Sequence, residues 1–282
     1  MPAKVLVVGV ARNSSKTIQP TVRALEKLFR GQAELTFFVV ESDSSDKTSQ
    51  VLSTLHAERK NEFEYLSLGD LAHSYPLRIQ RIAYCRNIYL DHLRRLHSKG
   101  VNFDYVVVAD FDGVNRRIKS NAPVLGLLNP QTVVTANQFT HYYDILALRK
   151  VGWVDEDYRV SIAKMVAANP KHRGSAFFRN VFMKQIKIKP STKSISVQSA
   201  FGGLAIYPGE SLLTCAYKAQ EVLGSVLECE HVSLNRDLRD LGYEIKIATG
   251  LRNSGSLGHT WGSFRLLSPI ARLISFIRPP GN

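Results

Sequence analysis

Cysteine is scarce in this chain. There are three, Cys85, Cys215 and Cys229, over 282 residues. An odd number at wide spacing excludes a disulfide framework and a zinc-type ligand pattern, and it fits a reducing compartment. Long apolar runs are missing too. The run near the start covers residues 5–10, too short for the apolar region of a signal peptide. No segment approaches the ~20 apolar residues that a membrane-spanning helix requires, so the expected compartment is cytoplasmic. After the first predicted strand, 9-GVARNS-14 lacks G-x-G-x-x-G, and there is no P-loop. Those two absences argue against a dinucleotide-dependent dehydrogenase and a P-loop NTPase. Acidic residues are outnumbered, 24 against 37 Lys and Arg, which leaves a net charge of +13. That excess favours nucleotides, nucleic acid or an acidic membrane surface as partners without choosing among them.

What is present is a regular alternation. Strands are predicted at 5–10, 35–41, 63–68 and 105–109, with helices at 17–30, about 46–60 and 79–100 between them. Pro20 stands near the entry of the first helix, and Gly100 falls where the third should stop. The fold class expected is α/β: a mostly parallel sheet flanked by helices, with a mixed second half. In that second half the pattern predicts strands at 132–137, 197–208 and 243–249 and a helix at 231–242. Residues 168–194 read as a basic, weakly patterned insertion.

The stretch 105-YVVVADFDGV-114 carries the chemical signal. In open α/β sheets, ligands collect beyond the carboxyl ends of the strands. Asn13, Glu41 with Asp43, and Asp110 with Asp112 follow three such ends, so they could line one crevice. Two carboxylates separated by one residue can share a hard divalent cation, which takes one or two carboxylates plus phosphates and waters. Acidic turns after strands are common, so the pair alone is a weak sign. Arg81, Arg86 and Asn87, on the helix preceding that strand, strengthen it, because a guanidinium there could meet phosphate oxygens. The plain alternative is that they are solvated helix positions.

Taken in order, ARNS after the first strand, 40-VESDSSDKT-48, 81-RIAYCRN-87 and 108-VADFDG-113 resemble the nucleotide-sugar-binding half of GT-A fold glycosyltransferases. Further on, 142-YYDILALR-149, 197-VQSAFGGLAIYP-208 and 228-ECEHVSLNRDLRDLGYEI-245 resemble the fungal capsule-type α-1,3-mannosyltransferases and their bacterial relatives. The resemblance implies a GT-A-like (Rossmann-like) domain over 1–262, divided into a nucleotide-sugar half, 1–115, and an acceptor half, 116–262. It implies Glu41 at the nucleobase edge, Ala11 and Arg12 beside the same pocket, and Arg86 and Asn87 toward the diphosphate or donor sugar. Asp110 would hydrogen-bond the ribose or sugar, and Asp110 and Asp112 would hold Mn²⁺ or Mg²⁺. Gly202 and Gly203 would let backbone approach the sugar, or else mark a tight bend in a strand.

Glu230 falls where related enzymes carry an acidic pair, but here the pair reads Glu230-His231, which leaves the assignment of a base open. A carboxylate opening a helix is also stabilising in itself. Under the capsule-type likeness the enzyme is retaining, and Glu230 orients the acceptor. Asp144 is a candidate for sugar hydroxyls, or caps a turn. His259, between Gly258 and Gly262, is a candidate third metal ligand on a closing loop, or anchors that loop through Trp261.

The expected partners are a GDP- or UDP-hexose donor, a glycan or lipid-linked acceptor and an anionic membrane surface. Nucleic acid is not expected, because the densest basic stretch, Lys184 to Lys193, has no interleaved aromatics. Residues 263–282 read as a basic amphipathic helix that lies on the inner face of the membrane or docks on the protein's own core. The rival readings are a nucleotidyltransferase on a similar sheet and a non-catalytic polyanion binder.

Overall fold

The computed structural model describes residues 1–191, 193–224 and 226–254. His259 and the 263–282 segment lie outside the described residues. The first half follows the sequence pattern closely. Strand β1 (Ala3–Ala11) is followed by helix α1 (Ile18–Phe29), β2 (Ala33–Glu41), α2 (Thr48–Arg59), β3 (Phe63–Ser67), α3 (Arg78–Ser98) and β4 (Tyr105–Ala109). These four strands run parallel in the order β3-β2-β1-β4. Both faces of β1 are buried, which is why it reads as an unbroken β-branched run. Val5 and Val7 enter one core, against Ile18, Val22, Leu25 and Phe29 of α1. Leu6 and Val8 enter the other, against Tyr89, Leu90 and Leu93 of α3. The period of two on the strand and the i, i+4, i+7 stripe on α1 fix that sandwich.

The second half contributes β5 (Thr132–Gln138), α4 (Tyr158–Ala168), α5 (Arg173–Asn180), β6 (Ser194–Val197) and β7 (Leu204–Pro208). A small hairpin follows, β8 (Glu221–Leu223) with β9 (Val226–Leu227), then α6 (Glu230–Asp240) and β10 (Glu244–Asn253). The sheet continues from β4 as β7-β5-β10-β6, with β7 antiparallel to both β4 and β5 and β6 antiparallel to β10. The whole is thus an α/β fold on a mostly parallel sheet, with the mixed portion in the second half.

Two expectations are corrected. The strand expected over 197–208 is two strands at different places in the sheet, separated by a turn at Gly202 and Gly203, where φ is +66° and +83°. Helix α4 was not foreseen, because only Ile162 and Val166 are buried on it. Its signal was Asp157, whose side chain accepts the Arg159 backbone N–H at 2.9 Å as an N-cap. Within the expected 168–194 insertion lies α5. No helix among the described residues is long and apolar enough to cross a membrane.

Candidate functional site

The carboxyl ends of β1, β2 and β4 open into a cavity of about 510 Å³. Its floor is built by the Asp-x-Asp turn. Phe111, fully buried, packs into the core shared with α1 and so turns Asp110 and Asp112, both lining residues, to the cavity. Gly9 on β1 makes room for that ring: a Cβ there would stand 2.2 Å from the Ala109 carbonyl and 2.7 Å from the Phe111 ring. The turn is tied on every side. Asp110 N–H donates to the Gly203 carbonyl at 2.9 Å, Thr17 Oγ1 donates to the Phe111 carbonyl at 2.6 Å, and Asp112 Oδ1 accepts the Val114 N–H at 3.0 Å.

Behind the turn sits a buried amide network that the sequence reading missed. Asn115 Nδ2 donates to the carbonyls of Asp110 (3.0 Å) and Gly203 (2.7 Å). Asn253 Nδ2 donates to Asn115 Oδ1 (3.0 Å) and the Gly202 carbonyl (2.7 Å). Residues from the end of β4, the 202–203 turn and the end of β10 are thereby locked together. A signal existed only for Asn115, five residues past Asp110 in the same turn. Nothing local singles out Asn253.

The walls bring most of the predicted residues together. Arg12, Arg81, Arg86, Asp144 and Glu230 all line the cavity with the Asp pair, and Ala11 does so through β1. Arg86 is the central cation, buried to 5% exposure. Its Nε lies 3.3 Å from Glu230 Oε1, its Nη2 lies 3.5 Å from Asp110 Oδ1, and its Nη1 contacts His231 Nε2. His231 stacks on Phe201 with centroids 3.8 Å apart. Burial, with the Arg86 charge beside it, holds its pKa well below the usual histidine value, so the ring is neutral and accepts from Arg86. Both His231 and Phe201 were unassigned from sequence, and only their spatial closeness to Arg86 marks them.

The acids at the floor are strained electrostatically. Burial first, and then the neighbouring Asp112 charge, push the Asp110 carboxyl up to about 7, against the opposing pull of Arg86. Burial also raises Asp144, although its carboxylate accepts the Gly202 N–H at 2.9 Å and the Ala147 N–H at 3.4 Å. Two carboxylates one residue apart and lining the cavity suit a divalent cation, and they leave coordination positions for phosphate and water. Among the described residues no third His, Cys, Asp or Glu joins them as a metal cluster.

Four predicted positions have other surroundings. Glu41 is buried and is not among the lining residues; its carboxylate accepts from Ser44 N–H (3.1 Å), Ser49 Oγ (3.2 Å) and Ser67 Oγ, which holds the 42–48 loop to β3. The acid that does line this end is Asp43, at a positive φ of 55°, accepting the Leu71 and Ala72 N–H groups. Asn87 turns away to Tyr217, accepting its N–H at 2.9 Å and donating to its carbonyl at 2.9 Å. At Gly202 and Gly203 the space a side chain would need is taken by protein: a Cβ would meet the Ala136 carbonyl at 2.4 Å and Val114 Cγ1 at 2.8 Å.

No family model matches the chain, and no curated protein matches it. Solved structures to which it is similar in fold include residues 1–349 of S. aureus TarS, at 14% identity, 96% of this chain, 65% of that chain and a TM-score of 0.43. The mannosyltransferase PcManGT from Pyrobaculum calidifontis, in complex with GDP-Man and Mn²⁺, gives 14% identity, 99% of this chain, 66% of that chain and a TM-score of 0.49. GalNAc-T7 with UDP, GalNAc and Mn²⁺ gives 11% identity, 90% of this chain, 44% of that chain and a TM-score of 0.49. The chain spans less than two thirds of the length of each.

Proposed function

We propose that the chain is a metal-dependent glycosyltransferase of the GT-A type, with 1–262 as its catalytic domain, moving a hexose such as mannose from a nucleoside-diphosphate sugar. The observation that carries this reading is one cavity at the parallel strand ends that Asp110 and Asp112 line together with Arg81, Arg86 and Arg12. A diphosphate needs cations on its oxygens, and a divalent ion on the Asp pair together with a guanidinium supplies them. When bound, Mn²⁺ or Mg²⁺ would offset the charge that builds on the leaving diphosphate.

The chain's own residues divide the remaining work. Arg12 and Ala11, with Asp43, border the end of the cavity nearest β1 and β2, where the nucleoside would lie. Arg12 Nε donates to the Asp43 carbonyl at 3.1 Å, so the two elements make one rim. Glu230, 5% exposed, has its carboxylate committed to the Arg86 guanidinium at 3.3 Å. It serves to orient the arginine and the acceptor. That favours the retaining outcome over general-base inversion. Asp144, aimed by two N–H donors, would receive sugar hydroxyls.

A thermal-shift panel of GDP, UDP and their hexose conjugates, with and without Mn²⁺, tests the reading. Metal-dependent stabilisation by a diphosphate supports it. A flat response to every diphosphate, in protein that melts cooperatively, would sink it.

A further inference from the structure

We infer that residues 171–189 form a docking surface for anionic lipid, which sets one wall of the cavity against a membrane. Residues 171–189 hold six Lys and Arg and no acid. Exposed on it are Lys171, Arg173, Arg179, Lys187 and Lys189. Among them stand three exposed apolar side chains: Phe178 at 56%, Met183 at 61% and Ile186 at 44%. Cations around protruding apolar groups are what an anionic bilayer surface selects, the lysines meeting headgroup phosphates and the apolar tips entering the acyl boundary. A polynucleotide would ask for an aromatic stacking platform instead. Phe178 is the one exposed aromatic here, with Phe177 and Phe182 partly buried beside it.

The same segment is a fixed wall of the cavity. Phe177, Val181 and Gln185 line it from the inner side. Trp153 Nε1 donates to the Lys184 carbonyl at 2.7 Å, the Tyr142 N–H donates to the Ile186 carbonyl at 2.9 Å, and Gln185 Nε2 donates to the Tyr143 carbonyl at 3.3 Å. Docking the outer side therefore sets the cavity beside the headgroup layer. The consequence for the acceptor, a lipid-linked one, rests on the glycosyltransferase reading, whereas the docking itself does not.

The test is co-sedimentation of the full chain with vesicles of phosphatidylcholine alone and of phosphatidylcholine with phosphatidylglycerol. The wild type should bind the second kind. Phe178→Ser/Met183→Ser/Ile186→Ser should lower partitioning about tenfold or more, and Lys187→Glu/Lys189→Glu should remove the preference for phosphatidylglycerol. The charge variant alters two exposed lysines only, so it tests the surface even if the triple variant folds poorly. Unchanged partitioning in the charge variant would overturn the proposal and leave binding to the 263–282 segment. Binding to single-stranded oligonucleotides but not to vesicles would overturn it as well. Nucleoside-diphosphate melting shifts on the same proteins keep the two ideas apart: vesicle binding without diphosphate stabilisation would remove the enzyme reading and leave the docking surface standing.

Discussion

The two halves of the molecule meet at one cavity but are built differently. From β1 to β4 each strand leads through a helix to another parallel strand, β3 crossing to β4 on the far side of β1, and the acids and arginines delivered sit at strand ends or on the helix next in sequence. From β5 onward the chain doubles back. It places β7 antiparallel between β4 and β5, and its contributions, Asp144, Phe201, Glu230 and His231, come from loops and a helix start far apart in sequence. The difference teaches that the floor of the cavity can follow from local pattern, while the walls that enclose it depend on long-range closure.

The comparison can be broken most sharply at the floor. Asp112→Asn should cost on the order of 100-fold or more in the proposed metal-dependent transfer, since a bound cation would supply several kcal/mol of transition-state charge stabilisation. Turnover equal to wild type at saturating Mn²⁺ would place the chemistry elsewhere. Next comes Arg86, where the halves touch. Arg86→Met leaves the buried Glu230 and the half-buried Asp110 without their cation and should lose about 3–5 kcal/mol of stability, read from a urea midpoint at fixed slope. A loss under about 1 kcal/mol would mean that water already relieves the pair.

Smaller effects probe the second half alone. Gly202→Ala forces a Cβ to 2.4 Å from a backbone carbonyl at a φ of +66° and should cost roughly 1–3 kcal/mol or more. Gly126→Ala, with open space around it, should be near neutral by the same denaturation measurement. His231 offers a pH signature. Its folded pKa lies well below the unfolded value, so its contribution to stability is complete above about pH 6.5 and is lost as the pH falls below it. Melting temperatures between pH 8 and pH 5 should fall less steeply in His231→Gln, which keeps an acceptor for Arg86. Parallel slopes in the two proteins would show that another group titrates there.

Particular residues mark how far the sequence could be read. Asp110 and Asp112 stood out through their company, since an acidic turn after a strand is a weak sign alone and Arg81 and Arg86 on the preceding helix strengthened it. Glu41 was singled out by type and position, and inside the fold three serine-derived donors hold its carboxylate. Asn87 likewise shares a helix with Arg86, but one residue of helix turns it by about 100°, toward Tyr217. Gly202 and Gly203 were singled out for approach to a sugar, whereas the observed pressure on them comes from Ala136, Gln138 and Val114.

By itself the sequence determined the α/β class, the four parallel strands, the acids at their exits and the excess of positive charge, because period, β-branching and strand-end chemistry act within a few residues of each other. Only the tertiary structure decided that 197–208 divides between two strands, that His231 and Phe201 hold Arg86, and that Asn115 and Asn253 lock the floor. Those outcomes depend on hydrogen bonds and packing between residues more than a hundred positions apart, and no local pattern encodes which distant partner a buried polar group will find.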